Sequence, residues 1–541
     1  MKSKLYILLG ILFLLLIFKL GNWGLTESSE ARYAEIAREM VVSGDYINPT
    51  LLGIKHLHKP PVTYYLTALG YKIFGINEFG ARFFMQLALV LQLVLVFKIT
   101  LQLFKSEKIA LAALLIYFSF PITIIAVRTL TTDAYLTTFI LASIYFWLQY
   151  KSNLKPYNLY LFYFFLALIF ETKGPVGFMI PVTFVVTHKI LNKEKIEFNM
   201  HQYLGFILFL FVSSAWYIIV MYKNDGLFDY FINNQLVERV TKNNFKRGKP
   251  FWYYLFLMPL IGMPWLFYFV FYFKKNIKNI IQHKKTDFLL IITFLTLFIL
   301  LSISTSKLIL YVLPLYFILA IFSARYLSLC SEKTIKKISN LYFILIIIVT
   351  SGFFIASFLN LELKINRIYA FIILVVFSVF GAISNNKIVN TNFIKPAFLG
   401  ALFIISIIIS SNYIFSKNEL KINSVKPLAE FIKNDSQSEN EVLIYNYLLP
   451  SLSFYLNKNI TTINHGKYTT TREVQFETTD VWKKNLINYF DPNERERLLK
   501  ISNSKPTYLI KRKKDVFPDT LKVLVKTLNR KKNFDKFEVY Y

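Results

Sequence analysis

Apolar residues run along most of this chain in blocks of about 15 to 21, separated by short polar stretches, as far as residue 415. Runs of about 20 apolar residues cross a bilayer as helices, because only a helix satisfies its own backbone polar groups in hydrocarbon. Thirteen such runs occur, near 4–22, 83–103, 109–127, 132–150, 157–171, 175–191, 203–222, 253–273, 287–304, 308–324, 339–359, 367–384 and 395–415. The pattern predicts an α-helical polytopic membrane protein with about 13 spans. Past residue 416 it changes: "EVLIYNYLL" and "PTYLIKRKK" read as short strands, "VKPLAEFIKN" and "NERERLLKIS" as short helices. Residues 1–415 therefore form a membrane domain, and 416–541 a small α/β domain.

Charge orients this arrangement. With the N-terminus cytoplasmic, Lys105/Lys108, Lys151/Lys155, Lys189/Lys193/Lys195, Lys274/Lys275/Lys278/Lys284/Lys285, Arg325/Lys333/Lys336/Lys337 and Lys387/Lys395 all fall inside. The C-terminal domain is then external, which in a bacterium places it in the periplasm beside the inner membrane. The net charge of +30 is absorbed by these loops and by anionic membrane lipids, so nucleic acid is not an expected partner. From Lys417 onward 23 basic and 15 acidic residues leave +8, suited to an anionic membrane surface. The single cysteine, Cys330, excludes an internal disulfide.

Two external loops are long, 25–82 and 223–252. In the first, "ESSEARYAEIAREM" is rich in helix formers and stops at Ser43-Gly44, which predicts an amphipathic helix at the outer membrane interface. Helical spacing places Glu27 and Glu30 on one face with Tyr33, and turns Arg32, Glu35 and Glu39 aside. A partly desolvated carboxylate there has the chemistry of a general base. The competing reading is a solvated helix laced by pairs such as Glu35 with Arg38. Downstream, "HLHKPPVTYYL" holds Lys59 rigidly before two prolines, apt for gripping a lipid-linked phosphate. His56 and His58 leave a divalent metal as an alternative to headgroup contact, without a Cys or HxxxH array to complete a site. Four further clusters, "RTLTTD", "ETKGP", "NNQLVERVTKNNFKRGKPFWYY" and "STSKLILYVLPLY", put Arg128, Asp133, Lys173, Arg239 and Lys307 on the same external side. Charges at span ends are costly unless they face a cavity or a partner, so together they predict an external site for an anionic headgroup.

"SEARYAEIAREMVVSGDYINPTLLG" and "HKPPVTYYLTALGYKIFGINEFGARF", followed in order by "RTLTTD", "TKGP", "AWY", "KPFWYY" and "SKLILYVLPLY", resemble the bacterial branch of the protein O-mannosyltransferase superfamily, including the lipid A aminoarabinose transferases. That resemblance implies a GT-C glycosyltransferase fold with an external active site, and a sugar donor carried on polyprenyl phosphate. The acceptor expected from it is a lipid, a glycan or a protein hydroxyl, with transfer expected to proceed with inversion. It further implies a carboxylate base at Glu30 or Glu27. Lys59, Arg239, Lys307 and Tyr311 are implied at the donor phosphate, with Arg32, Tyr33, His56, His58, Arg128, Asp133 and Lys173 shaping the cavity. The family's usual first-loop acidic pair is Asp-Glu where this chain has Ser29-Glu30, and aminoarabinose transferases tend to have Glu-Lys-Pro-Pro where it has His58-Lys59-Pro60-Pro61. A lipid-linked sugar flippase, or a nonenzymatic scaffold, is the contrasting expectation; a flippase calls for inverted repeats, and none is evident.

Overall fold

The computed structural model describes residues 2–27, 29–195, 199–224, 226–231, 248–267, 270, 285–385, 393–435, 440–466, 474–504 and 507–541. The chain divides into two compact units that do not follow linear order. One, the membrane unit, comprises 1–19, 83–218 and 228–414; the other, the loop unit, comprises 20–82, 219–227 and 415–541.

Helices stand on all thirteen apolar runs. Six of them are long and apolar enough to cross a membrane singly, Glu78–Phe104, Met200–Lys223, Lys285–Ile303, Ile309–Ser328, Glu332–Ala356 and Ile394–Lys417, and a seventh crossing arises if Glu107–Ser119 and Pro121–Arg128 count as one. The chain is thus a multi-pass membrane protein, with helix lengths among the described residues supporting six or seven crossings. The bent pair has a clear local cause. Pro121 offers no N–H and clashes with the preceding turn, so the first helix stops and the second leaves at 58°. Several polar side chains inside this unit are hydrogen-bonded: Gln92 accepts from the Tyr117 hydroxyl at 2.7 Å and donates to the Ala134 carbonyl at 2.9 Å, and Trp265 donates to Ser119 Oγ at 2.7 Å.

The loop unit is a layered α/β structure. A hairpin pairs β1 (Thr50–Leu51) with β2 (Ile54–Lys55) across Leu52 and Gly53, both at positive φ, as a two-residue primed turn requires. The main sheet comprises β3 (Glu441–Tyr445), β4 (Thr461–Asn464), β5 (Leu486–Asn488), β6 (Thr507–Arg512), β7 (Lys531–Phe534) and β8 (Phe537–Tyr540), in the order β5-β4-β3-β6-β8-β7. The first four strands are parallel, and β8 joins β6 and β7 antiparallel. Because strand side chains alternate, Val442, Ile444, Tyr508 and Ile510 face one way, and Leu443, Tyr445 and Leu509 face the other. Both faces are covered, which is why these strands read as nearly unbroken apolar runs. Helices Pro492–Ser504 and Asp519–Thr527 supply Leu498, Leu521 and Leu524 to one face.

The first loop contributes to the opposite face. Helix Ser29–Ser43 does form, and one of its faces is buried within the unit: Ile36 and Met40 join the core with Leu428 and Ile432 of helix Lys426–Asp435 and with Leu452 of helix Pro450–Leu456. Four of its five charged positions are buried too, Glu30, Glu35, Arg38 and Glu39, and Arg32 is half-buried. The pair anticipated on a solvated helix, Arg38 with Glu35, is present as a two-pronged bond of 2.7 and 2.8 Å, yet it lies inside. A partner about 400 residues away in sequence covers a face that local spacing alone assigns to solvent or lipid.

Candidate active site

Glu27 and Glu30 do not share a helical face, because the helix begins at Ser29 and Glu27 precedes it. Glu30 is locked in place. Arg82, wholly buried, gives it Nε at 2.8 Å and Nη2 at 3.1 Å, and directs its other donors to the carbonyls of Leu20, Trp23 and Gly24 at 2.8–3.1 Å. Thr26 adds its N–H and hydroxyl to Glu30 Oε2, both at 2.8 Å. The guanidinium also lies over the Trp23 ring at 4.6 Å. All five guanidinium donors are used, which makes a buried ion pair tolerable.

Glu27 is held differently. Its Oε1 accepts from the backbone N–H of Ser451 at 3.0 Å and from the Ser451 hydroxyl, at the start of the helix after β3. Oε2 is buried and makes no hydrogen bond among the described residues. Burial pushes this carboxyl up to about 7, against the opposing pull of Ser451 and of the positive charge of Arg32. Tyr33 packs on Tyr64 with ring centroids 5.5 Å apart.

Glu39, which the sequence turned aside, organises the hairpin by accepting from the Thr50 hydroxyl at 2.5 Å and the Gly53 N–H at 3.1 Å. Burial, reinforced by the neighbouring Glu35, pushes it up to about 7. Its folded pKa thus lies above the unfolded value, so its contribution to stability is complete below about pH 4.5 and is lost as pH rises through 7. The melting temperature of the purified protein should therefore fall between pH 5 and pH 8, with Glu39→Gln flattening that fall by up to roughly 3 kcal/mol. Parallel wild-type and variant pH profiles would refute this.

Lys59 is half-buried and followed by Pro60-Pro61, after which helix Val62–Phe74 starts. Two contacts pin the preceding segment: Lys55 Nζ donates to Asn224 Oδ1 at 2.7 Å, and the Lys55 N–H to Glu477 Oε1 at 2.6 Å. The His56 and His58 rings meet edge to face at 4.5 Å, and His58 also meets Phe476 at 5.2 Å. Among the described residues no three His, Cys, Asp or Glu side chains converge as metal ligands, so these two histidines do not by themselves fit a metal centre.

In the membrane unit, helix ends position the charges. Asp133 opens helix Asp133–Asn153, and Lys173 closes helix Pro156–Lys173, each matching the helix dipole at its end. Lys173 Nζ meets Asp133 Oδ1 at 2.5 Å and lies 4.1 Å from the centroid of the Tyr311 ring. Arg128, the last residue of helix Pro121–Arg128, is buried. Lys307 is also buried and donates to the carbonyls of Lys249, at 3.1 Å, and Ser304. The structure therefore joins Asp133, Lys173 and Tyr311, and gives Lys307 separate, backbone partners. Arg239 lies outside the described residues.

Sequence reasoning missed Arg82, Ser451, Glu39 and Glu477. Arg82 alone left a signal, as the single cation heading the long apolar run 83–97. Ser451 and Glu477 become visible only when segments more than 400 residues apart pack together, and Glu39 only when the hairpin at 50–55 folds back on its helix.

Residues 58–219 match the family described as dolichyl-phosphate-mannose-protein mannosyltransferase. An uncharacterized protein of Aquifex aeolicus is 30% identical over 334 residues, 61% of this chain and 64% of its own length. The undecaprenyl phosphate-alpha-4-amino-4-deoxy-L-arabinose arabinosyl transferase 2 of Proteus mirabilis is 28% identical over 326 residues, 59% of each chain. The chain thus spans about three-fifths of the length of these curated relatives. Crystal structures of ArnT from Cupriavidus metallidurans, in the apo state and bound to undecaprenyl phosphate, superpose with TM-scores of 0.77 and 0.75 at 20% identity, covering 100% of this chain and 98% of that one. Residues 58–219 thus resemble the protein mannosyltransferases, about three-fifths of the chain resembles the aminoarabinose transferases, and the fold is that of ArnT, a GT-C membrane fold.

Proposed function

We propose that the protein is a membrane glycosyltransferase that moves a sugar from a polyprenyl-phosphate donor to an envelope acceptor on the external face of the bacterial inner membrane. One observation carries this reading: relatives 28–29% identical over 300–326 residues are named as undecaprenyl-phosphate aminoarabinose transferases. The basic loops support the orientation, with the N-terminus cytoplasmic and the α/β domain periplasmic.

In the proposed step, an acceptor oxygen attacks the anomeric carbon from the face opposite the phosphate. The bond from that carbon to the phosphate oxygen breaks, and polyprenyl phosphate leaves with the electron pair. The acceptor's proton passes to Glu27, and the sugar's configuration inverts. Glu27 suits the base because its pKa lies near operating pH and one carboxylate oxygen makes no hydrogen bond. Glu30, committed to Arg82, is assigned a positioning role. Lys59 is assigned to the departing phosphate, and Arg239 takes the same assignment from its sequence context. Lys307 and Tyr311 are assigned to phosphate contacts and Arg128, Asp133 and Lys173 to shaping the anion-binding surface, all on the chemistry of the membrane unit. The His58 substitution before Lys59 argues for a sugar other than aminoarabinose. The acceptor is taken to be lipid A, another envelope glycan or a protein hydroxyl.

Comparing masses of lipid A, surface polysaccharide and glycoproteins between wild-type and deletion cells tests this reading. One fraction should lack a single sugar mass in the deletion; identical spectra in all three would overturn it. Lys59→Ala should raise the donor KM by about 10- to 100-fold, the worth of a charged hydrogen bond. An unchanged donor KM would remove Lys59 from the phosphate site.

A further inference from the structure

The main sheet of the loop unit has a feature that the proposed transfer does not use. From β3 the chain adds β4 and then β5 on one side, and afterwards β6 on the other, so the strand order reverses between β3 and β6. Open parallel sheets bind ligands beyond the carboxyl ends of their strands at such a reversal. Aromatic side chains collect at that edge: Tyr445 ends β3, His465 follows β4, Tyr489 and Phe490 follow β5, and Phe517 follows β6.

These rings are in contact. The His465 centroid lies 4.7 Å from Tyr489 and 5.1 Å from Phe490, and Tyr445 lies 5.0 Å from Phe517. The Tyr445 hydroxyl and His465 Nδ1 share a hydrogen bond of 2.6 Å, and Asn446 Oδ1 accepts from the His465 N–H at 3.3 Å. That fixes the imidazole, and Nε2 makes no hydrogen bond among the described residues. Phe490 is 63% exposed despite its bulk. Gly466, at a φ of +82°, presents no side chain to it; a Cβ there would touch the ring at 3.4 Å.

The available chemistry is an uncovered aromatic face beside a fixed imidazole nitrogen. Three cations at this edge are already engaged: Lys511 with Glu538 at 2.6 Å, Arg512 with both oxygens of Asp515, and Arg495 over the Tyr489 ring. This combination fits the C–H face and hydroxyls of a sugar ring better than a phosphate. We propose that the carboxyl edge of this sheet binds one sugar of an envelope glycan, with Phe490 as the stacking platform and His465 as the hydroxyl partner. Only the glycan's role as acceptor rests on the transferase reading.

The test uses the full-length protein in detergent micelles and oligosaccharide released from the producing cell's envelope by mild acid. Saturation-transfer NMR should show binding to wild-type protein, weakened about 10-fold or more by Phe490→Ala and by His465→Ala, the scale of losing one buried aromatic contact. Phe490 is exposed, so its variant should keep the wild-type melting temperature. Absence of binding to wild-type protein, or equal binding by both variants, overturns the proposal. Labelled polyprenyl-phosphate sugar is followed in parallel. Binding that depends on Phe490, in a protein that never consumes the donor, would support this site while removing the transferase reading.

Discussion

Glu27→Gln should lower the rate of sugar transfer by about 100- to 10,000-fold, the usual contribution of a positioned general base, with little change in donor KM. The substitution keeps the shape of the side chain and an oxygen able to accept from Ser451, so the loop unit should remain folded. It removes only the capacity to take a proton. Because burial pushes Glu27 up to about 7, wild-type kcat/KM should climb as pH rises through 7, where the carboxyl loses its proton, and level off above. The variant should show no such climb. A variant as active as wild type, with the same pH profile, would exclude Glu27 as the base.

Arg82→Ala should be the most destabilising single change, by about 3–5 kcal/mol, because it strands a buried carboxylate. Glu30 would lose its two-pronged partner, and the carbonyls of Leu20, Trp23 and Gly24 would lose their donors. The expected result is loss of the monodisperse detergent-solubilised protein, or a sharply lower melting temperature. Adding Glu30→Gln should recover part of the loss, since the carbonyls would still lack donors but the stranded charge would be gone. Losses that simply add in the double variant would contradict direct pairing.

How much of this was legible in the sequence depended on whether the cause was local. The apolar runs became helices because no other backbone arrangement satisfies their polar groups in lipid. Strands β3 and β6 were readable from "VLIY" and "TYLI", whose both-sided burial leaves no polar alternation. Strands β7 and β8 were not, since "KKNFDKFEVY" carries lysines on an edge strand exposed to solvent. Helix Ser29–Ser43 was legible as a helix, but its burial under Leu428, Ile432 and Leu452 was not, because those residues lie some 400 positions downstream. The same distance hid the contact of Glu27 with Ser451. Spacing had paired Glu27 with Glu30 on one face; the helix start at Ser29 separates them, and each is governed by its own partner.

Transfer itself can be followed by incubating purified protein in liposomes with radiolabelled polyprenyl-phosphate sugar and an extract of the producing cell's envelope. Label should appear in the acceptor fraction, matched by release of polyprenyl phosphate and nearly abolished by Glu27→Gln. Donor recovered intact with active-looking, folded wild-type protein and every envelope fraction present would contradict it.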